Sequence, residues 1–147
     1  MIERFEVFTL IIANLTRNIR KIKTVEMAKW NLKSQHVSCI YYLYERGPLT
    51  ATELCDICGE DKANMSRSIE YLEEHGYLTR KERVNRRYKI HYELTELGKN
   101  VGKNIFERVE DIISRSSEGI NEEDRGTMYR SLYAINDNLK KIIDEYQ

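Results

Sequence analysis

The most informative part of the chain is residues 50–76, which read TATELCDICGEDKANMSRSIEYLEEHG. Thr50 and Glu53 have the spacing of a capping box, in which each side chain bonds the other residue's backbone amide at the start of a helix. Gly59 favours the end of that helix, because glycine readily adopts the left-handed conformation that follows many helices. Asp61 can cap a second helix directly afterwards. The segment therefore predicts two short helices joined by a tight turn, which is a helix-turn-helix pattern.

The second of these helices has one apolar and one polar face. Met65, Ile69 and Leu72 recur at the spacing of a single helix side, so we expect them in the core. Short side chains let a helix enter the major groove of DNA, where Asn can pair with adenine and Arg with guanine. A polar face by itself is more often only solvated. The residues expected on this face are Ala63, Asn64, Ser66, Arg67 and Tyr71.

A β-hairpin is predicted directly behind the helix-turn-helix. Residues 77–83 and 88–94 are rich in Tyr, Leu, Val, Ile and Thr, and Asn85 between them tolerates the positive φ of a tight turn. Residues 80–91 contain six basic residues and one acidic residue, a local charge of +5. Such charge can simply protect an edge strand from aggregation. Next to a helix-turn-helix, however, a basic hairpin is a candidate wing that contacts nucleic acid.

Positive charge is confined to parts of the chain. Lys plus Arg and Asp plus Glu each number 24, so the net charge is zero and a uniformly basic coat is excluded. Residues 93–147 have eight basic and twelve acidic residues. Arg86, at the predicted hairpin tip, is the candidate for insertion into a narrow minor groove. The side chains expected on the phosphate backbone or in the minor groove are Thr50, Thr52, Lys62, Arg83, Asn85, Arg86 and Arg87.

Two apolar seams lie near the ends of the chain, with the three- and four-residue steps that are typical of helix pairing. The first consists of Phe5, Phe8, Ile12, Leu15, Ile19 and Ile22. Another long helix is predicted between Thr95 and Gly119, and Asn121 can cap a last one. The second seam, on that last helix, consists of Met128, Leu132, Ile135, Leu139, Ile142 and Tyr146.

These seams predict a homodimer. A single winged module is too small to cover both, and each uncovered seam would be a large exposed apolar patch. A two-fold dimer would place two recognition helices about 34 Å apart, one turn of the duplex. The alternative is an intramolecular helical bundle. The residues expected at the dimer interface are Phe5, Phe8, Ile12, Leu15, Ile19, Met128, Leu132, Ile135, Leu139 and Ile142.

Length and composition predict a mainly α protein with a small β-wing. The chain has 147 residues, of which 41% are hydrophobic, 33% are charged and one is proline. We expect one domain, with dimerisation helices in residues 1–31 and 96–147 and a winged helix-turn-helix in residues 32–95. No apolar stretch is long enough to cross a bilayer, and the amino end lacks the pattern of a secretory signal. We therefore expect a cytoplasmic protein with no membrane partner.

The three cysteines leave several possibilities open. Cys55 and Cys58 are three positions apart, and His36 and Cys39 form a second pair with the same spacing. These side chains could hold zinc, sense oxidants or simply pack in the core, and packing is the commonest outcome. We expect no metal and no cofactor. Because no nucleophile, base and orienting group are recognisable together, we also expect no enzyme activity.

The order of these motifs resembles the winged helix-turn-helix of MarR-type transcriptional regulators. The resemblance spans about residues 32–100 and rests on GPLT at 47–50, DKANMSR at 61–67, LEEHGYL at 72–78 and LTELG at 94–98. It implies an obligate homodimer that binds a pseudopalindromic operator in double-stranded DNA, usually as a repressor released by a small ligand or by oxidation.

Position by position, the resemblance implies that the major groove is contacted by Ala63, Asn64, Ser66 and Arg67. It also implies that Arg86 or Arg87 enters the minor groove. Two positions depart from the family pattern. Val84-Asn85 stands where many members have an Asp before the wing arginines. Lys33 stands where a Ser or Thr cap is common, so we expect the second helix to begin at Ser34.

The patterns do not specify a small-molecule effector. Trp30, His36 and Tyr41 lie around the expected junction between the dimer helices and the winged module, where an apolar pocket could form, although such aromatic residues are more often core. The alternative function is a winged-helix module whose basic hairpin binds an acidic protein partner instead of DNA. Duplex binding that depends strongly on salt would distinguish the two.

Overall fold

The computed structural model describes residues 2–81 and 89–147. Residues Met1–Glu107 and Arg108–Gln147 form two compact units, and the division falls within the fifth helix. The prediction of a mainly α protein with a small β-sheet is confirmed. In chain order the elements are α1 (Ile2–Met27), a short 3-10 helix (Ala28–Trp30), α2 (Ser34–Arg46), β1 (Leu49–Thr50), α3 (Ala51–Cys58), α4 (Lys62–Glu74), β2 (Leu78–Arg80), β3 (His91–Leu94), α5 (Glu96–Ser116) and α6 (Glu122–Asp144).

The helix-turn-helix begins and ends where its capping residues predict. Thr50 Oγ1 accepts a hydrogen bond from the Glu53 amide at 3.2 Å, and Glu53 Oε2 accepts one from the Thr50 amide at 2.7 Å, which completes the capping box. Gly59 follows α3 with a φ of 65°. Asp61 Oδ1 then accepts a hydrogen bond from the Asn64 amide at 2.7 Å and caps α4. Local side-chain chemistry therefore sets the bounds of both helices.

The start of α2 depends on a histidine. The helix begins at Ser34, as expected, and Lys33 precedes it as the capping residue. An ammonium group can only donate hydrogen bonds, so the Lys33 side chain cannot accept one from a helix amide. Instead, the Lys33 backbone amide donates to His36 Nδ1 at 3.1 Å. Burial, with smaller contributions from the charges of Lys33 and His75, lowers the pKa of His36 to about 4. His36 is therefore neutral at pH 7 and can keep its acceptor role.

The three strands form an antiparallel sheet in the order β1-β3-β2. β2 and β3 are the two sides of the predicted hairpin, and Leu78 lies opposite Leu94. β1 was not predicted, since a strand of two residues carries no alternating pattern. It extends the sheet by pairing Leu49 with Tyr92. The hairpin base is therefore anchored to the residues that precede α3.

The core of the first unit holds the apolar face of α4. Met65, Ile69 and Leu72 are all buried, as their spacing predicts, and Ser68 is buried with them. Because this face is enclosed, the opposite side of α4 is directed to the surface. The side chains that share the core include Val37, Ile40, Leu43, Leu54, Leu78, Leu94, Val101 and Ile105.

A glycine lets α5 lie close to the segment that follows α4. Thr95 Oγ1 accepts a hydrogen bond from the Gly98 amide at 3.1 Å, and α5 starts directly after Thr95, as predicted. A β-carbon at Gly98 would lie 2.1 Å from the Tyr77 carbonyl oxygen. No larger residue fits this contact, which explains the glycine in the LTELG segment.

The apolar seams of α1 and α6 are not covered within their own units. Ile12, Leu15 and Ile19 on α1 are 37%, 51% and 53% exposed. Phe8 is half-buried, while the Phe5 side chain lies outside the described part of the structure. The exposed seam residues of α6 are Met128, Leu132, Ile135, Leu139 and Ile142.

Across residues 2–81 and 89–147, none of the helices has both the length and the apolar character needed to span a bilayer.

Candidate nucleic-acid interface

The amino-terminal half of α4 presents a polar surface. Asn64 is half-buried at its edge, Asp61 caps the helix, and Met65 anchors this end in the core. The surface is therefore held on a fixed support, and its exposure agrees with the expectation from the sequence. Its exposed side chains are Lys62, Ala63, Ser66 and Arg67.

Asn64 is held between two charged side chains. Its Nδ2 donates to Asp61 Oδ2 at 3.0 Å, and its Oδ1 accepts a hydrogen bond from Arg67 Nη2. The Asn64 amide keeps a second N–H and a second oxygen lone pair, so these two bonds fix its orientation without using all of its capacity for hydrogen bonds. The guanidinium of Arg67 has several N–H donors, so a bond to Asn64 leaves others for a base. Because Arg67 is exposed and Asn64 is half-buried, the geometry favours Arg67 as the side chain that contacts a base and Asn64 as the one that orients it.

Tyr71 has a different set of neighbours. Its ring stacks between the imidazoles of His36 and His75, with centroid separations of 4.3 and 3.9 Å. The Tyr71 hydroxyl donates a hydrogen bond to the Asn31 carbonyl oxygen at 2.7 Å. Tyr71 thus ties α4 to the segment between α1 and α2. This placement favours a packing role over the DNA contact expected from the sequence.

Charge is distributed unevenly along α4. Lys62 and Arg67 lie toward the amino end, whereas three glutamates lie toward the carboxyl end. One of these, Glu73, accepts a hydrogen bond from Arg80 Nε at 3.1 Å and raises the pKa of Arg80. Part of the positive charge counted for the hairpin is therefore balanced by α4 itself. A phosphate backbone would be attracted to the amino-terminal half of α4 and repelled by the other half.

The other expected DNA contacts lie on α3 and the hairpin. Thr50 is buried and its hydroxyl caps α3, which corrects the expectation that it contacts a phosphate. Thr52 is exposed on the first turn of α3. The Lys81 amide donates to the His91 carbonyl oxygen at 2.9 Å, so the hairpin base is paired up to this point. Outside the described residues lie Arg83, Asn85, Arg86 and Arg87.

The four side chains considered as zinc ligands do not form one metal-binding group. In the described ranges, no three His, Cys, Asp or Glu side chains are grouped so that they could hold a metal ion. His36 accepts a backbone amide, and Cys39 is buried with its Sγ 3.5 Å from Met65 Sδ. Cys55 and Cys58 are half-buried free thiols. The zinc interpretation therefore gains no support, and packing and thiol chemistry are the readings left.

The aromatic residues considered for an effector site also have different neighbours. His36 lines a recess of about 340 Å³ at the start of α2. Tyr41 stacks on Phe106 with ring centroids 5.9 Å apart. Lys29 Nζ lies over the Trp30 ring, 5.2 Å from its centroid. The three side chains thus pack against separate partners and do not together define one pocket.

Sequence and structure comparisons find the same kind of similar protein. Residues 30–87 match the sequence model of the MarR family. No curated protein matches the chain in sequence. A MarR family regulator from Neisseria meningitidis shares the fold with a TM-score of 0.83 over 98% of this chain and 99% of that chain, at 17% identity. The transcriptional regulator SlyA matches with a TM-score of 0.83 over 95% and 99%, at 19% identity.

A third similar structure is a MarR family transcriptional regulator from Listeria monocytogenes complexed with 26mer DNA. It matches with a TM-score of 0.82 over 89% of this chain and 87% of that chain, at 21% identity. The fold is therefore that of a winged helix-turn-helix protein. The model of the MarR family matches the part of the chain that contains the helix-turn-helix, and the similar solved structures share the fold of the long flanking helices as well. The resemblance inferred from the motifs is confirmed.

Proposed function

We propose that this chain is a sequence-specific DNA-binding transcriptional regulator, which acts as a homodimer on a pseudopalindromic operator and represses transcription. It works in the cytoplasm by binding alone, without catalysis. The observation that carries the proposal is the exposed, cationic amino-terminal half of α4, fixed by a helix cap and a buried apolar face on a MarR-type fold. The similar Listeria monocytogenes regulator was crystallised with DNA, which supports the same class of ligand here.

The proposed major-groove contacts come from the amino-terminal half of α4. Arg67 pairs with guanine through donors that Asn64 does not use. Ala63 and Ser66 are short, so the helix can approach the base edges closely. Lys62 binds a phosphate and fixes the register of the helix on the duplex. The wing residues proposed for the backbone and the minor groove are Arg83, Asn85, Arg86 and Arg87.

Dimerisation is proposed through the helices in residues 1–31 and 96–147, which leaves residues 32–95 to bind the duplex. The exposure of both seams in a single chain supports this division, because burying apolar surface contributes roughly 25 cal/mol per Å². A two-fold dimer sets its two α4 helices about 34 Å apart, at successive major grooves. Any ligand or thiol reaction that changed this spacing would release the operator. The proposed interface consists of Phe5, Phe8, Ile12, Leu15, Ile19, Met128, Leu132, Ile135, Leu139 and Ile142.

Selection of bound fragments from a random pool of duplex DNA tests the proposal. We expect a symmetric consensus whose half-sites are about 10 base pairs apart, and an affinity that falls steeply as salt is raised. A shuffled duplex of the same composition is the control. Failure to enrich any sequence would contradict the proposal and would favour a winged-helix module that binds an acidic protein partner.

A further inference from the structure

α4 has a different neighbour along each of its two long sides. On one side, Ser66 and Glu73, which are seven positions apart, border a recess that Arg80 of β2 also lines. On the other side, Asn64 and Tyr71, also seven positions apart, face the carboxyl-terminal part of α1 and the segment that leads to α2. The exposed amino-terminal half of α4 therefore lies between the hairpin and α1.

The segment on the α1 side is as basic as the hairpin. Residues 17–33 contain six basic residues and one acidic residue, a local charge of +5. A basic helix surface by itself is more often only solvated, so the position of these cations decides what they can bind. The exposed cations of the segment are Arg17, Arg20, Lys21, Lys29 and Lys33.

Two cations of this segment share a groove with the polar surface of α4. The groove has a volume of about 500 Å³ and lies between α1 and the turn that precedes α4. Arg20, Lys23 and Asn64 all line it, and Glu60 on the turn opposes the two cations. An anion that reached Asn64 from solvent would therefore meet two positive charges and one negative charge.

Lys23 is held in place at the wall of this groove. Its Nζ donates a hydrogen bond to Ser38 Oγ at 2.9 Å. Burial lowers the pKa of Lys23 and the like charge of Arg20 lowers it further, against the opposing effect of Cys58. An anion in the groove would compensate both effects, because an opposite charge favours the ammonium form. The two neighbouring cations therefore favour an anionic partner.

Lys33 supplies a further cation beside α4. Its backbone amide donates to His36 at the start of α2, while its side chain is exposed. Lys33 and Tyr71 line the same recess, and the Tyr71 hydroxyl donates to the Asn31 carbonyl oxygen at 2.7 Å. The segment that carries Lys33 is thus tied to α4, so this charge has a fixed position relative to the helix.

The shape of duplex DNA gives both sides of α4 the same kind of neighbour. The major groove is about 12 Å wide, close to the diameter of a helix with its side chains. A helix that enters the groove therefore has one sugar-phosphate strand along each side. The hairpin lies on the side of one of these DNA strands, and the basic part of α1 lies on the side of the other.

We propose that Arg20, Lys23 and Lys33 contact the phosphates of the DNA strand that borders α4 on the side away from the hairpin. The inference rests on the proposed function, to which it adds a second phosphate-binding surface for the same duplex. These contacts contribute affinity and register but no base specificity, because phosphates carry no sequence information. In a two-fold dimer the surface is present twice, once for each half-site.

Salt titrations of binding to the selected operator test the surface. Arg20→Gln and Lys33→Gln each remove one charge per protomer, and each should weaken binding at about 0.15 M salt by at least about fivefold. The slope of log affinity against log salt should become shallower by about 1.8, since each of the two lost phosphate contacts contributes about 0.9. The matched control is Arg4→Gln, an exposed position of the same helix about 24 Å farther along its axis, which should keep the wild-type affinity and slope. Circular dichroism and sedimentation of all three variants should equal those of wild type.

Ethylation interference on the same operator locates the contacts. Ethylation of phosphates that border α4 on the α1 side should weaken binding by the wild type. In Arg20→Gln this interference should disappear at one phosphate of each half-site, placed symmetrically, and remain at the others. A purely structural role of Arg20 would weaken binding without erasing the interference at a particular phosphate, and that result would overturn the inference.

The outcomes separate this inference from the proposed function. If Arg20→Gln and Lys33→Gln match Arg4→Gln in affinity and salt slope, the second surface is wrong while the proposed function stands. If the wild type binds duplexes without sequence preference, the proposed function fails, and the same three variants on a random duplex still decide whether α1 contacts phosphates. If the wild type binds no duplex at all, both are wrong.

Discussion

Leu54 and Leu139 are both leucines on amphipathic helices, yet their surroundings differ. Leu54, on α3, is 0% exposed, whereas Leu139, on α6, is 50% exposed. Leu54 belongs to a helix-turn-helix whose caps and core are completed by the chain itself. Leu139 belongs to a seam that its own unit does not cover. The comparison indicates that the helix-turn-helix is structurally self-sufficient, while the long terminal helices leave exposed the apolar seams through which we propose that two chains associate.

The largest expected effect on stability is in the core of the helix-turn-helix. Leu54→Ala removes a fully buried side chain and leaves a cavity, so we expect a loss of about 2–5 kcal/mol in the free energy of unfolding. Chemical denaturation followed by circular dichroism measures it. The matched control is Leu97→Ala, at a position that is 46% exposed, for which the loss should stay below about 1 kcal/mol. Equal losses in the two variants would mean that the core is not where the structure places it.

A substitution in the exposed seam of α6 should weaken dimerisation. Leu139→Glu puts a carboxylate into the proposed dimer interface, and we expect the dimer dissociation constant to rise by about 100-fold or more because burying an unpaired charge is costly. Sedimentation equilibrium measures the constant. Tyr133→Glu is the control, since Tyr133 lies on α6 outside the seam and is 70% exposed. If Leu139→Glu associates as tightly as the control, the seam is not the interface.

The stability of the protein should depend on pH through His36, which lies at the start of α2. The pKa of His36 is lowered to about 4, so between about pH 6.5 and pH 4 the unfolded chain binds a proton that the folded chain does not. Stability should therefore fall as the pH drops through this window, by on the order of 1–3 kcal/mol. His36→Gln removes the titrating ring and should flatten the slope, whereas His91→Gln on β3 should leave it in place. A wild-type slope that survives in His36→Gln would contradict this assignment.

A smaller effect is expected at the start of α4. Asp61→Ala removes the cap and the bond to Asn64 Nδ2, so the free energy of unfolding should fall by about 0.5–2 kcal/mol. Asp56→Ala, at an exposed carboxylate of α3, is the matched control and should cost less than about 0.5 kcal/mol. Thermal unfolding compares the two. A larger loss at Asp56 would show that the cap does not stabilise α4.

The parts of the fold that the sequence predicts are those stabilised by near neighbours. Thr50 and Glu53, or Asp61 and Asn64, are three positions apart, so a pattern of residue types is enough to find their bonds. The buried face of α4 is equally local, since Met65, Ile69 and Leu72 share one side of the helix. The same reasoning placed Ala63, Ser66 and Arg67 on the exposed side of α4.

The features that sequence patterns missed depend on residues far apart in the chain. Tyr71 was assigned to the DNA surface, but its hydroxyl partner Asn31 lies 40 residues away. The chain offers no periodic signal for the pairing of β1 with β3. Sequence reasoning therefore left the cysteines undecided between packing, sensing and metal binding. Only the three-dimensional arrangement distinguishes the buried Cys39 from the half-buried Cys55 and Cys58.

The most direct test of the central claim, that α4 contacts bases through Arg67, is a comparison of three proteins on two duplexes. Wild type and Arg67→Ala are titrated against the selected operator and against an operator with one symmetric G·C pair changed, and Arg115→Ala on α5 is the control. We expect wild type and the control to discriminate the duplexes by about 1–3 kcal/mol and Arg67→Ala to lose that discrimination. Undiminished discrimination by Arg67→Ala at every position of the operator would contradict the account.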